Sequence, residues 1–222
     1  MTAVPGPISG IGLRRLVGHA ATDIYGRRIG RVVALSLNTD GELQSVEIQP
    51  EGSQLLRYPS DCIMLDRDTL IMLPPWKVET EALCRELKFV EKRVNALDEL
   101  LRDNELPKEV YEELQRKQEA ALIEIRQKGE SLLHELNDRM QKIADEVVEL
   151  TSFLAGLKLE YRAGELDKES LDTAHQAVEP SLKAAVAEKR DIQNALTELS
   201  RLYTPQNEQA KPQSSLTLHI RD

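Results

Sequence analysis

Arg102-Asp103-Asn104-Glu105-Leu106-Pro107-Lys108-Glu109 and Arg162-Ala163-Gly164-Glu165-Leu166-Asp167-Lys168-Glu169 match position for position at an offset of 60 residues. Each copy holds a residue type that tolerates the left-handed conformation closing a helix, Asn104 or Gly164. Each then supplies a residue suited to starting one, Pro107 or Asp167. The two segments therefore predict two reversals separating three helices, about Lys77 to Leu101, Lys108 to Arg162 and Lys168 to Tyr203. The same offset superposes Leu87 on Val147, Val90 on Leu150, Val94 on Leu154 and Leu97 on Leu157. This is a duplicated helical hairpin, with consecutive helices antiparallel.

The apolar spacing sets what those helices bury. Leu83, Leu87, Val90, Val94, Leu97 and Leu101 alternate steps of four and three, an a/d heptad seam. Leu136, Met140, Ile143, Val147, Leu150, Leu154, Leu157 and Tyr161 follow the same rule. Val110, Ala121, Leu132 and Ile143 recur every 11 residues, as do Leu114, Ile125, Leu136 and Val147, a period that straightens the supercoil. The central helix would run roughly 80 Å at about 1.5 Å per residue. The third helix has a weaker stripe: Leu171, Ala174, Val178, Leu182, Ala185, Ile192, Leu196, Leu199 and Tyr203. Pro180 lies inside it and predicts a kink. These stripes predict an intramolecular core, and the seam residues Leu83, Leu87, Val90, Val94, Leu97, Leu101, Leu136, Ile143, Val147, Leu150, Leu154 and Leu157 are also the candidates for self-assembly. Phe89, off the seam, and Phe153, at its flank, mark a second contact surface.

Upstream the period is two. Turn clusters at Asp23-Ile24-Tyr25-Gly26, Asn38-Thr39-Asp40-Gly41, Pro50-Glu51-Gly52-Ser53 and Asp66-Arg67-Asp68 separate runs at Ile29 to Leu37, Leu43 to Ile48, Leu55 to Tyr58, Ile63 to Leu65 and Leu70 to Leu73. Val33, Leu35 and Leu37 alternate onto one face, as do Val46 and Ile48. Five or six such strands within about 60 residues bury a face only by curling into a small barrel or sandwich. Pro74-Pro75-Trp76 ends this region: the prolines stiffen the exit and Trp76 is placed to pin the first helix against the barrel. The fold class is α+β, with a barrel over residues 1–76 and antiparallel coiled-coil helices over 77–203.

Composition narrows the function. Charged residues make up 30% of the chain and aromatics 4%, a balance that suits elongated helices. Up to Trp76 there are seven arginines, no lysine and eight acidic residues, leaving 22 basic and 30 acidic residues downstream. The helices are therefore acidic, which opposes broad binding to nucleic acid or anionic membrane along their length. No run approaches the roughly 18 apolar residues of a membrane span, and the N-terminus lacks the order of a secretory signal. Cys62 and Cys84 form no metal or redox spacing, which fits a reduced, cytoplasmic protein. His19, His134, His175 and His219 are scattered, and His134-Glu135 lacks the second histidine of a zinc-protease helix. No catalytic constellation, metal or cofactor is expected.

Two segments are left as candidate contacts. Arg14, Arg15, Arg27, Arg28 and Arg31 have only Asp23 as a local counter-charge. They read either as a patch for phosphate, on DNA backbone or lipid headgroups, or as a solvated rim at a subunit contact. At the other end, residues 204–214 are Pro-, Gln- and Asn-rich, a disordered linker. It leads into Ser215-Leu216-Thr217-Leu218-His219-Ile220-Arg221-Asp222. Leu216, Leu218 and Ile220 alternate with polar residues, which reads either as a tethered strand that adds to another protein's sheet edge or as a frayed end.

The stretch Leu16-Val17-Gly18-His19-Ala20-Ala21-Thr22-Asp23-Ile24-Tyr25-Gly26-Arg27-Arg28-Ile29-Gly30-Arg31-Val32-Val33 resembles a PRC-barrel, a module shared by photosynthetic reaction-centre H subunits and RimM-type ribosome maturation factors. The module alone does not specify a function. A PRC-barrel, acidic coiled-coil helices, a linker and a short apolar strand in that order resemble the CdvA family of archaeal cell-division scaffolds. The resemblance implies a non-enzymatic protein that forms homodimers and filaments in the cytoplasm at the division site, near the inner face of the membrane. It implies recruitment of the ESCRT-III-like protein CdvB through Leu216, Leu218 and Ile220, and it raises DNA or membrane contact through the arginines. The alternative is a RimM-like factor associated with RNA or ribosomes; a third reading is a membrane-surface adaptor.

Overall fold

The computed structural model describes residues 11–203 apart from 53, 67 and 68. A 3-10 helix, Ile11–Leu16, precedes six strands: β1 Ala20–Asp23, β2 Arg28–Leu37, β3 Leu43–Gln49, β4 Leu56–Pro59, β5 Ile63–Asp66 and β6 Thr69–Met72. Three helices follow: α1 Pro75–Arg102, α2 Lys108–Ala163 and α3 Lys168–Tyr203. The predicted helix limits hold to within two residues.

The strands form one sheet in the order β4-β3-β2-β1-β6-β5, antiparallel throughout except for the parallel pair β1–β6. Laid flat, β3 and β5 would be about 19 Å apart at ~4.8 Å per strand. Instead Val46 and Ile48 of β3 share one buried cluster with Ile63 of β5, Leu70 and Met72 of β6, and Leu13 and Leu16 of the 3-10 helix. The sheet is therefore curled around a single core, with β4 and β5 as its two ends.

Sequence alternation misplaces one residue. Val33 is 44% exposed while Val32 is 2% exposed. The pairing of β2 with β3 shifts register between Val32 and Ala34, and this bulge moves Val33 off the inner face while Leu35 and Leu37 still pack on the core. β1 was not among the runs singled out. Ala20-Ala21-Thr22-Asp23 has almost no β-branched or aromatic content, and pairing with β2 and β6 on both sides makes it a strand. At Gly30, where β1, β2 and β3 meet, a Cβ would come 2.3 Å from the Gln49 carbonyl oxygen, so only glycine fits.

Both reversals repeat their hydrogen bonds at the same 60-residue offset. Asn104, at φ 56°, donates its N–H to Leu101 O at 3.2 Å, and Glu105 N–H reaches Leu100 O at 3.0 Å. Gly164, at φ 80°, donates to Tyr161 O at 3.2 Å, and Glu165 N–H reaches Glu160 O at 3.0 Å. At the start of α3, Asp167 accepts from the Ser170 N–H at 2.8 Å, whereas the Pro107 cap of α2 makes no side-chain bond.

α2, at 56 residues, is about 84 Å long. α1 returns along its first half and α3 along its second, so α1 and α3 run in the same direction. They overlap only near the middle, where Leu83, Leu87 and Val90 of α1 meet Ile125, Leu132, Leu136 and Ile143 of α2 and Ile192, Ala195 and Leu199 of α3. Leu136, Ile143, Ile192 and Leu199 are fully buried there. Beyond this three-helix segment, a two-helix arm extends each way. α3 continues through Pro180 without a break in the helix.

Candidate functional site

The middle of the rod is also where the barrel docks. The seam of α3 predicts an apolar residue between Ala185 and Ile192, three or four residues from each, and Glu188 occupies that position, 2% exposed. Burying a carboxylate there requires compensation. Arg139 of α2 donates to Glu188 from Nε at 2.8 Å and Nη2 at 3.1 Å. Arg27, in the turn before β2, donates to the same carboxylate from its Nη2. Arg27 is aligned in turn by Asp23, whose Oδ2 accepts from its Nε at 2.8 Å. Burial by itself would raise the Glu188 pKa, but the hydrogen bonds from Arg139 and Arg27 outweigh it and hold the carboxyl below the ordinary range.

A second bridge lies one turn further along α3. Asp191 accepts from Lys77 Nζ at 2.5 Å and from the Tyr25 hydroxyl at 3.3 Å. Burial, then the nearby charges of Asp191 and Glu188, push the Tyr25 hydroxyl far above its usual range, so it remains protonated. Trp76, 6% exposed, packs in the helical core and lines a cleft of about 270 Å³ with Ile29, Tyr58 and Met72 of the barrel. It thus occupies the junction where the sequence placed it. Glu188 and Arg139 were missed. The readable signal was a charged residue at a seam position of α3.

The contacts of the five arginines differ. Arg27 is committed to the junction. Arg28 lies 3.4 Å from Glu51, an exposed pair of little energetic weight. Arg31 donates to the Gly18 carbonyl at 3.2 Å. Arg28 and Arg31 border a groove of about 600 Å³ floored by Val17, Val32 and Val33. Arg14 and Arg15 are exposed on the 3-10 helix.

The candidate self-assembly residues divide by position. Leu83, Leu87, Val90, Leu97, Leu136, Ile143 and Leu154 are buried within the chain. Val94, Leu101, Val147, Leu150 and Leu157 are half-buried, and Val94 and Val147 pack against the central cluster. Large apolar side chains also face outward: Phe89 55%, Val110 41% and Ile123 56% exposed towards one arm, and Val148 65%, Phe153 50% and Leu159 70% on the other. The Arg93 guanidinium covers the Phe89 ring at 4.3 Å. The proposed strand residues Leu216, Leu218 and Ile220 lie outside the described residues.

Cys62 is buried, which together with Asp61 pushes its thiol up to about 11, and Cys84 is half-buried. Neither is in a disulfide. Among the described residues no three His, Cys, Asp or Glu side chains converge as a metal site, and no helix is long and apolar enough to cross a membrane.

A curled sheet clamped to the waist of a long three-helix rod defines an elongated coiled-coil protein. The sequence pattern of the CdvA-like coiled-coil domain matches residues 75–219, and the chain belongs to the CdvA family. It is 29% identical over 204 residues to Cell division protein A of Sulfolobus acidocaldarius, covering 92% of this chain and 85% of that protein. No solved structure matches the chain.

Proposed function

We propose that this chain is a cell-division scaffold that self-associates into filaments and recruits an ESCRT-III-like protein of the CdvB type through residues 215–222. The observation that carries the reading is the pair of arms on a rod about 84 Å long. Each arm is a two-helix hairpin with a half-buried seam and apolar side chains turned outward, Val148 and Leu159 on one and Val110 and Ile123 on the other. The half-open seams and these outward side chains leave apolar area that contact between copies would bury. The relative named for cell division supports the cellular role. A cytoplasmic location at the division site, near the inner face of the membrane, follows from that role. A net charge of −9 weighs against the RNA-associated alternative.

Sedimentation and electron microscopy of the purified chain at tens of micromolar test the assembly. Polymers are expected without nucleic acid or lipid, and a strictly monomeric species overturns the reading. Removing residues 215–222 is expected to abolish binding of the ESCRT-III-like partner and leave assembly intact; unchanged affinity removes the recruiting role of the tail.

A further inference from the structure

Among the described residues β4 ends the sheet on one side and pairs with β3 alone, Val46 against Tyr58 and Ile48 against Leu56. An end strand presents a row of backbone donors and acceptors that accepts a further strand. Leu55 and Leu56 beside this edge are 50% and 41% exposed. Pro59 lacks an N–H and limits the receptive edge to the residues before it. Tyr58 of the same strand lines the junction cleft with Arg139 and Glu188, so β4 belongs to the side of the barrel that faces the helices.

We propose that this edge is the docking site for the chain's own segment Ser215 to Asp222, so that the recruiting strand is masked until a partner displaces it. The inference rests on the reading of that segment as a strand. Reach permits it. Asp191 is at the junction through Lys77 and Tyr25, and Tyr203 is twelve residues further on, about 18 Å along the helix. Residues 204–214 extend to about 36 Å, enough to return Leu216 to the barrel. The side chains correspond as well. Leu216, Leu218 and Ile220 recur in the sequence with the period of two that Leu56 and Tyr58 have on β4, so an added strand would bring all three to one side. Arg57, the cation on β4, pairs with Glu47 at 2.8 Å, which offsets its repulsion of Arg221. A docked tail lowers the apparent affinity for any external sheet edge by the fraction of chains with the tail free.

Hydrogen exchange on the full chain alone, with no partner added, tests this. Amides of residues 55–58 are expected to exchange about tenfold more slowly than in a chain truncated after Ser214 or carrying Leu218→Asp, with β3 unchanged. Equal exchange in the three proteins overturns the proposal. The pair Gln54→Cys and Leu218→Cys, with Cys62→Ser and Cys84→Ser, is expected to oxidise to a disulfide-closed monomer on a non-reducing gel. A disulfide-linked dimer assigns the edge to another copy's tail and also overturns it. Neither readout involves the ESCRT-III-like partner, so failure here and failure of the proposed function are separately visible.

Discussion

Arg27 and Glu188 are 161 residues apart in sequence and form an ion pair at the waist of the molecule. Glu188 is simultaneously held by Arg139, so one buried carboxylate ties the β1–β2 turn to α2 and α3. Without it, the barrel would be joined to the helices through Pro74-Pro75, Trp76 and the Asp191 bridge.

Replacing Glu188 by alanine leaves two guanidiniums facing each other without their anion. Breaking a fully buried pair costs about 3–5 kcal/mol, and the partial solvent access of Arg27 and Arg139 lowers the expected loss to about 2–3 kcal/mol. Urea denaturation checks the magnitude. Hydrogen exchange should show the loss at residues 23–27 and 139, with the far ends of both arms unaffected.

The same carboxylate predicts an acid limit. Its folded-state pKa lies below the ordinary value, so its contribution is fully present above the unfolded pKa of about 4.3. That contribution is lost as pH falls through the depressed folded value. Stability measured from pH 7 down to 3 should therefore drop more steeply in the native chain than in Glu188→Gln, whose curve lacks this component.

Burial at each seam position, more than residue type, should decide the effect of trimming the seam. Leu136 is 0% exposed within the three-helix segment, and Leu136→Ala is expected to cost about 3–4 kcal/mol. Leu157, the same residue type at the same kind of heptad position, is half-buried in an arm. Leu157→Ala is expected to cost about 1 kcal/mol in dilute protein. Thermal unfolding of the two variants side by side checks the difference.

The two reversals predict effects of opposite sign. Asn104 holds φ at 56°, which glycine adopts without strain, so Asn104→Gly is expected to stabilise by about 0.5 kcal/mol. Gly164→Ala forces an L side chain to φ 80° and is expected to destabilise by about 1 kcal/mol. Paired denaturation curves read both.

Local chemistry determined most of the architecture from sequence alone. Helix ends at Asn104 and Gly164, starts at Pro107 and Asp167, and the heptad steps from Leu83 to Leu101 depend on backbone preference and apolar period, which act within a few residues. The strand runs Ile29 to Leu37 and Leu43 to Ile48 lie between turn residues that operate over the same range, and the last run is bounded by Pro74. What depends on long-range packing was not legible. The weak strand β1 exists because two neighbours supply its hydrogen bonds, and Val33 points outward because the register of β3 introduces a bulge. Arg27 reads as a candidate phosphate contact beside Arg28, yet its partner is 161 residues away. Glu188 becomes the centre of the molecule only when α2 and the barrel converge on it. A buried charge is tolerated where several chain segments bring compensating groups to one point, and that convergence is decided by the tertiary fold.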